Sequence, residues 1–231
     1  MSLLSLIHRI YKKITNEQFE ITFAQTGEDI IVDFLVKAKK IEAFTYLDVG
    51  ANHPTKFNNT YKFYLQGYRG INIEPDPNLF KLLKKLRKED LNLNIGIAAN
   101  SNYEADFYIM ETPLLNTFSK QEAEDLVLAG LSKIKTKIKV ELKTITQIIE
   151  SHLNGEPPTL INLDVEGLDE EILRSFPFQK YRPYIFCIET VHYTKDATSG
   201  KRVEIINLMK DNGYTIFADT YINTIFIDSK K

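Results

Sequence analysis

The run Thr45-Tyr46-Leu47-Asp48-Val49-Gly50-Ala51-Asn52 reads as a buried strand that meets a carboxylate and then a glycine turn. A second run, Ile71-Asn72-Ile73-Glu74, reads as a strand closing on another carboxylate. Strand, glycine turn, helix and a strand ending in an acid make one half-site of a nucleotide-cofactor sheet. Turn N–H groups meet the ligand, and the second carboxylate accepts from ribose hydroxyls. This pairing constrains the chain more than any other feature, because it requires two parallel strands joined by a crossover helix.

The rest of the chain keeps the same rhythm, without internal repeats or low-complexity tracts. An apolar helix through Ile30, Ile31, Phe34 and Leu35 follows Gly27 and Asp29, either of which suits its cap. Asn58 and Asn59 can open the next helix, which stops at Gly67. Asp76 and Pro77 fit the N-cap and first position of a third helix, whose Lys81 to Lys88 run reads as a solvated face. A third strand is expected over Leu91 to Ile97, ending at Ala98-Ala99. The middle section suggests strands at Ala105 to Met110 and Ile138 to Leu142, a loop at Glu111 to Thr117 and a helix at Lys120 to Ala129. Strands at Thr159 to Leu163 and Tyr184 to Ile188 then end at Asp164 and Glu189. Tyr214 to Phe217 and Thr224 to Ile227 suit an antiparallel pair at a sheet edge. Alternating strands and helices predict an α/β, doubly wound, mostly parallel sheet, whose ligands bind beyond the carboxyl ends of the strands. Carboxylates stand at four such ends, at Asp48, Glu74, Asp164 and Glu189; a core sheet alone does not require them.

Composition narrows the function classes. The chain has 231 residues and suits one main domain, expected over 23–231, with an extension at 1–22. A formal net charge of −2 gives no general attraction to nucleic acid. The single cysteine, Cys187, lies in an apolar run and cannot form an intramolecular disulfide, which with the absence of a signal sequence suggests a cytoplasmic setting. No apolar run is long enough to span a bilayer. Leu3, Leu6, Ile7, Ile10 and Ile14 recur at helical spacing around Arg9, Lys12 and Lys13. That extension is expected to be an amphipathic helix packed on the domain or on a second copy of the chain, a membrane-surface helix being the other reading.

The turn chemistry distinguishes between cofactors. A dinucleotide turn wants Gly-x-Gly-x-x-Gly, so that a diphosphate can approach the backbone. Here one glycine, Gly50, precedes Ala51, Asn52, His53 and Pro54, and Asp48 beside the turn would repel a diphosphate. A carboxylate there suits a ligand with a positive amino group and no phosphate, as in S-adenosylmethionine. Four blocks, Phe23 to Asp29, Leu47 to Pro54, Gly70 to Pro75 and Asn162 to Gly167, carry a resemblance to the FkbM-type S-adenosylmethionine-dependent methyltransferases. The resemblance implies a seven-stranded, Rossmann-like class I sheet with an antiparallel edge strand. It also implies methyl transfer to an oxygen of a sugar or other small polar metabolite. It places Asp48, Gly50 and Asn52 along the methionine part of the cofactor, Glu74 on the ribose and Ala98 or Ala99 beside the adenine, with Gln25 and Glu28 closing the site. Pro54 stands where many members carry glycine. Proline offers neither an N–H nor a positive φ, which leaves that turn's geometry open.

Methyl transfer to a hydroxyl needs an aligned acceptor and a group to take its proton. Candidates are Asp164 with Glu166, and Glu189 with His192. Asp164 and Glu166 could instead bond loop amides or cap the following helix, and His192 could be an ordinary surface histidine. Asp164, Glu189 and His192 could together hold a divalent ion, but no close metal-ligand spacing supports one, so no metal site is assigned. His53 reads as structural, and the polar segment Thr190 to Gly200 as a lid. Two other classes compete: a nicotinamide-dependent oxidoreductase on the same kind of sheet, and a non-catalytic binding protein of this fold.

Overall fold

A computed structural model describes residues 20–100, 104–165, 167–193 and 199–231, with only the backbone of His192, Tyr193 and Ser199. The extension expected over 1–22 lies almost wholly outside these residues.

The chain runs β1 (Thr45–Val49), β2 (Arg69–Ile73), β3 (Leu91–Leu93), β4 (Gly96–Ile97), β5 (Glu104–Met110), β6 (Ile134–Lys143), β7 (Leu160–Leu163), β8 (Ile185–Glu189), β9 (Val191–Tyr193), β10 (Ser199–Lys201), β11 (Tyr214–Asp219) and β12 (Asn223–Asp228). Its helices are α1 (Glu28–Ala38), α2 (Tyr61–Leu65), α3 (Pro77–Leu86), α4 (Lys120–Leu128), α5 (Ile145–His152), α6 (Asp169–Ser175) and α7 (Val203–Asp211). Seven strands form the main sheet in the order β11-β12-β8-β7-β1-β2-β3, and β12 runs antiparallel to both its neighbours. This is the expected α/β sheet, with the antiparallel pair β11–β12 at one edge.

Strand alternation divides the core between two faces. Leu47, Val49, Ile161, Leu163, Phe186, Ile188 and Phe226 pack on one side with Ile148 and Ile149 of α5, Ile172 and Leu173 of α6, and Ile205 and Met209 of α7. Tyr46, Leu160, Ile185, Cys187 and Ile225 face the other side, against Val32, Leu35 and Val36 of α1 and Phe63 of α2. Both faces are apolar because both are covered, as parallel strands require. Among the described residues no helix is long and apolar enough to cross a membrane.

The chain reverses strand order between β1 and β7. From β1 it proceeds outward through β2 and β3, then returns to place β7 on β1's other side. A crevice opens at that switch point.

Two expected elements differ. The strand predicted over Leu91 to Ile97 is two strands. Glu74 N donates to Leu93 O at 3.1 Å, and the Asn94 amide then donates to Glu74 O (2.8 Å) and Pro75 O (2.9 Å). These side-chain bonds draw the backbone out of the main ladder, and Gly96–Ile97 pairs instead with Leu142 and Lys143 of β6. With β5, these strands make a separate three-stranded sheet. The segment Thr190 to Gly200, expected as a polar loop and lid, contains at its two ends the antiparallel pair β9–β10.

Candidate active site

Gly50 fixes the floor of the site. It holds φ +79°, and a Cβ there would lie 1.9 Å from the Asp164 carbonyl oxygen, so only glycine lets the β1 turn pass the end of β7. Gly50 N and Ala51 N both donate to Ile73 O, at 3.1 and 3.0 Å, which ties the turn to β2. Two further positive φ values, 47° at Asn52 and 51° at Phe57, carry the turn toward α2. Pro54 lies between them, and its carbonyl accepts from Arg87 Nη1 at 3.4 Å. The left-handed geometry is thus supplied around the proline.

A cavity of about 270 Å³ opens above this floor. Gln25, Asp48, Gly50, Asn52, Glu74, Asp164 and Glu189 all line it. Sequence order spreads these residues along the chain, and the switch point gathers them.

Asp48 is buried, with three side-chain donors around it. Its Oδ2 accepts from Thr60 Oγ1 (2.6 Å) and Asn58 Nδ2 (3.3 Å), and its Oδ1 from Asn162 Nδ2 (2.8 Å). Burial raises its carboxyl above the ordinary range, opposed by Thr60, the Arg87 charge, Asn162 and Asn58. Glu74 is held by backbone alone. Its Oε2 accepts from Asn52 N and its Oε1 from Asp76 N, each at 2.7 Å. Burial pushes Glu74 up to about 8 against those two bonds, and the Asp76 and Asp48 charges add to the rise. Asp164 follows β7 and is half-buried; desolvation raises it, reinforced by Asp169 and Asp48 and opposed by Arg202. No described residue hydrogen-bonds its carboxylate. Glu189, the last residue of β8, is buried at the same edge.

Other expected site residues fall elsewhere. Glu28 does not line the cavity. Its carboxylate accepts from Thr26 N (3.0 Å), Thr220 Oγ1 (2.7 Å) and Asn223 Nδ2 (2.9 Å), clamping α1 to the β11–β12 turn. Burial would raise Glu28, but those side-chain bonds outweigh it and hold it below the ordinary value. Ala98 and Ala99 face a second, smaller cavity of about 160 Å³; Gly96 and Ile97 line the main one instead. The break at Asn94 is the cause, since it shifts which residues of that strand meet the crevice. The Glu166 position lies outside the described residues, and His192 sits in β9 opposite Gly200 with its side chain undescribed. Among the described residues no three His, Cys, Asp or Glu side chains are grouped to hold a metal.

The structure also brings in residues that the strand-end pattern does not mark. Asn162 lies inside β7, donating to Asp48 and accepting from Asn59 Nδ2 at 2.8 Å. The 3-10 turn Pro113–Leu115 crosses the opening, where Asn52 Nδ2 donates to Pro113 O at 3.2 Å. Leu114, Asn116 and Phe118 line the cavity from that side. Arg87 belongs to the lysine-rich run, yet its side chain is fully buried. A polar residue inside a buried strand, as at Asn162, was the available sequence signal; nothing local distinguishes Arg87 from its lysine neighbours.

Among solved structures, the chain resembles a TehB-like S-adenosylmethionine-dependent methyltransferase from Corynebacterium glutamicum, at 10% identity over 97% of both chains with a TM-score of 0.44. A magnesium protoporphyrin IX methyltransferase from Synechocystis, solved with bound S-adenosylmethionine, is similar at 10% identity over 98% of this chain and 96% of that one, TM-score 0.43. An O-methyltransferase from Bacillus cereus, in complex with S-adenosylhomocysteine, is similar at 13% identity over 96% of this chain and 88% of that one, TM-score 0.40. No curated protein matches the sequence significantly. The family model of the methyltransferase FkbM domain matches residues 48–216. That match runs from the acid inside β1 into β11 and takes in all four strand ends whose carboxylates line the cavity, and the chain belongs to the FkbM methyltransferase family.

Proposed function

We propose that this chain transfers a methyl group from S-adenosylmethionine to a hydroxyl of a small polar acceptor, a saccharide unit being the favoured class. One observation carries the cofactor assignment. The cavity lining holds four carboxylates, at Asp48, Glu74, Asp164 and Glu189, and no Lys, Arg or His among the described residues. Such a lining offers a diphosphate no cation and offers an amino group and ribose hydroxyls a set of acceptors. The donor and acceptor set therefore fits S-adenosylmethionine and opposes a nicotinamide dinucleotide.

When bound, the cofactor supplies a methyl group made electrophilic by its sulfonium. Asp48 faces the amino group with acceptor capacity left on Oδ1. Each Glu74 oxygen already takes one backbone N–H and keeps a second acceptor site for a ribose hydroxyl. Gly96, Ile97 and Phe118 bound the adenine end, and Gln25 closes the opposite side. Asp164, raised by burial and without a described donor, takes the proton from the acceptor hydroxyl, and Glu189 on the adjacent strand orients that hydroxyl. Glu166 and His192 are further candidates for the same proton transfer.

Calorimetric titration tests this assignment. S-adenosylhomocysteine should bind wild type and be lost in Glu74→Ala, with NAD silent in both. NAD binding in place of S-adenosylhomocysteine would overturn it. Transfer of labelled methyl from S-adenosylmethionine to a panel of mono- and oligosaccharides tests the acceptor class, and label found only on nitrogen-bearing acceptors would exclude O-methylation.

A further inference from the structure

We propose that Arg87 is a positioning residue for the cofactor site: it orients two side chains onto one oxygen of Asp48, so that an ionised carboxylate is presented to the ligand's amino group. The proposal rests on the cofactor reading above.

Arg87 follows α3, with its guanidinium wholly buried beneath the β1 turn. All five of its N–H groups are engaged. Nε donates to Asp90 Oδ2 (2.8 Å), Nη1 to Asn58 Oδ1 (3.2 Å) and Pro54 O (3.4 Å), and Nη2 to Tyr46 Oη (2.9 Å) and Thr60 Oγ1 (3.1 Å). Asp90 balances the charge and is itself fixed by Tyr46 Oη, Gly70 N and Asn72 Nδ2. The guanidinium also lies 4.9 Å from the Tyr64 ring centroid.

Two of these five bonds lead to the same place. Thr60 Oγ1 accepts from Arg87 and donates to Asp48 Oδ2 at 2.6 Å. Asn58 accepts from Arg87 through Oδ1, and its Nδ2 donates to Asp48 Oδ2 at 3.3 Å and to Ala51 O at 3.0 Å. A cation at the far end of each bridge polarises its donor toward the carboxylate. Burial works against the Asp48 charge, and so do the neighbouring carboxylates Glu74 and Asp164. Arg87 is the cation that opposes them. A planar fork of five donors holds both bridging side chains together with Asp90 and Tyr46 in fixed directions, more partners than the three rotatable donors of an ammonium can serve.

A purely architectural role would also explain a buried arginine, so the test separates the two. The probes are S-adenosylhomocysteine and 5′-methylthioadenosine, which shares the adenosine but lacks the amino-acid arm. The variants are the double substitution Arg87→Met/Asp90→Asn, which leaves no unpaired carboxylate, and Thr60→Val, which breaks one bridge while keeping the arginine. Dissociation constants are measured by calorimetry at pH 6 and pH 8.5. In both variants the S-adenosylhomocysteine constant should rise on the order of tenfold over wild type at pH 6 and by less at pH 8.5, because higher pH favours the ionised carboxylate that the bridges otherwise support. The 5′-methylthioadenosine constant should stay within about twofold of wild type. Equal losses for both ligands, or a loss independent of pH, would reduce Arg87 to an architectural role. If the double variant does not fold, Thr60→Val decides on the same criteria. Wild type binding neither ligand would overturn the cofactor reading, and this proposal with it.

Discussion

At Glu74, burial and hydrogen bonding pull in opposite directions. Two backbone N–H groups favour its ionised form, yet desolvation prevails and lifts it to about 8 from an ordinary 4.5. Between those values the folded chain keeps a proton that the unfolded chain has released, so rising pH favours unfolding. Without ligand, wild type should therefore lose stability from pH 5.5 to 7.5, by up to about 1.4 kcal/mol per unit from this group. Glu74→Gln should make that slope shallower by the share of Glu74 alone, since Asp164 and Asp169, which burial also raises, remain in both proteins; urea midpoints at the two pH values check this. Gly50→Ala should cost about 2–5 kcal/mol, combining a left-handed alanine with a Cβ driven into the Asp164 carbonyl. Thermal denaturation reads that loss, and a variant as stable as wild type would refute the packing argument. Asp48, Gly50 and Glu74 were legible in sequence because a strand-end acid and a turn glycine are local patterns. Arg87 was not, since its burial depends on Tyr46, Asn58 and Thr60 arriving from two other elements.

The elements are joined to the site through their ends. Asp76 caps α3, accepting from Asn78 N at 2.7 Å, and its other oxygen accepts from Asn116 Nδ2 at 3.1 Å in the segment that crosses the cavity. Asp76→Ala should cost about 1 kcal/mol as a lost cap. It should also speed release of S-adenosylhomocysteine, because the crossing segment loses an anchor; stopped-flow dissociation measures this, and an unchanged off-rate would detach the segment from ligand retention. The cap was readable as Asp76-Pro77, within two adjacent residues. Its bond to Asn116 depends on β5 and β6 folding the middle section back over the sheet. The strand over Leu91 to Ile97 shows the converse: its apolar alternation predicts one element, and the Asn94 amide ends it by bonding carbonyls beyond β2.

Across the whole molecule, Arg182 ties the segment before β8 to the end of β12. It pairs with both oxygens of the buried Asp228, reaches Asn212 O at 3.1 Å and lies 4.8 Å from the Tyr214 ring centroid. Arg182→Ala should cost about 3 kcal/mol at pH 7, since it leaves a buried carboxylate unpaired. Burial alone would raise Asp228, but the Arg182 bonds and the Lys230 amide prevail and hold it below 3.8. The stability this group confers is therefore present above 3.8 and lost as pH falls through its folded value. Denaturant unfolding of wild type and variant should show a gap that closes below about pH 3.8. The sequence by itself determined the alternation of strands and helices, the parallel sheet with its antiparallel edge, and the acids at four strand ends, because periodicity and turn chemistry act within a few residues of chain. The tertiary structure decided which of the named residues share the cavity. It set Glu28 to clamping β11–β12, replaced Ala98 and Ala99 with Gly96 and Ile97, and buried one cation beneath the turn. Those outcomes depend on strand order and on side chains meeting across long stretches of sequence, which no local pattern encodes.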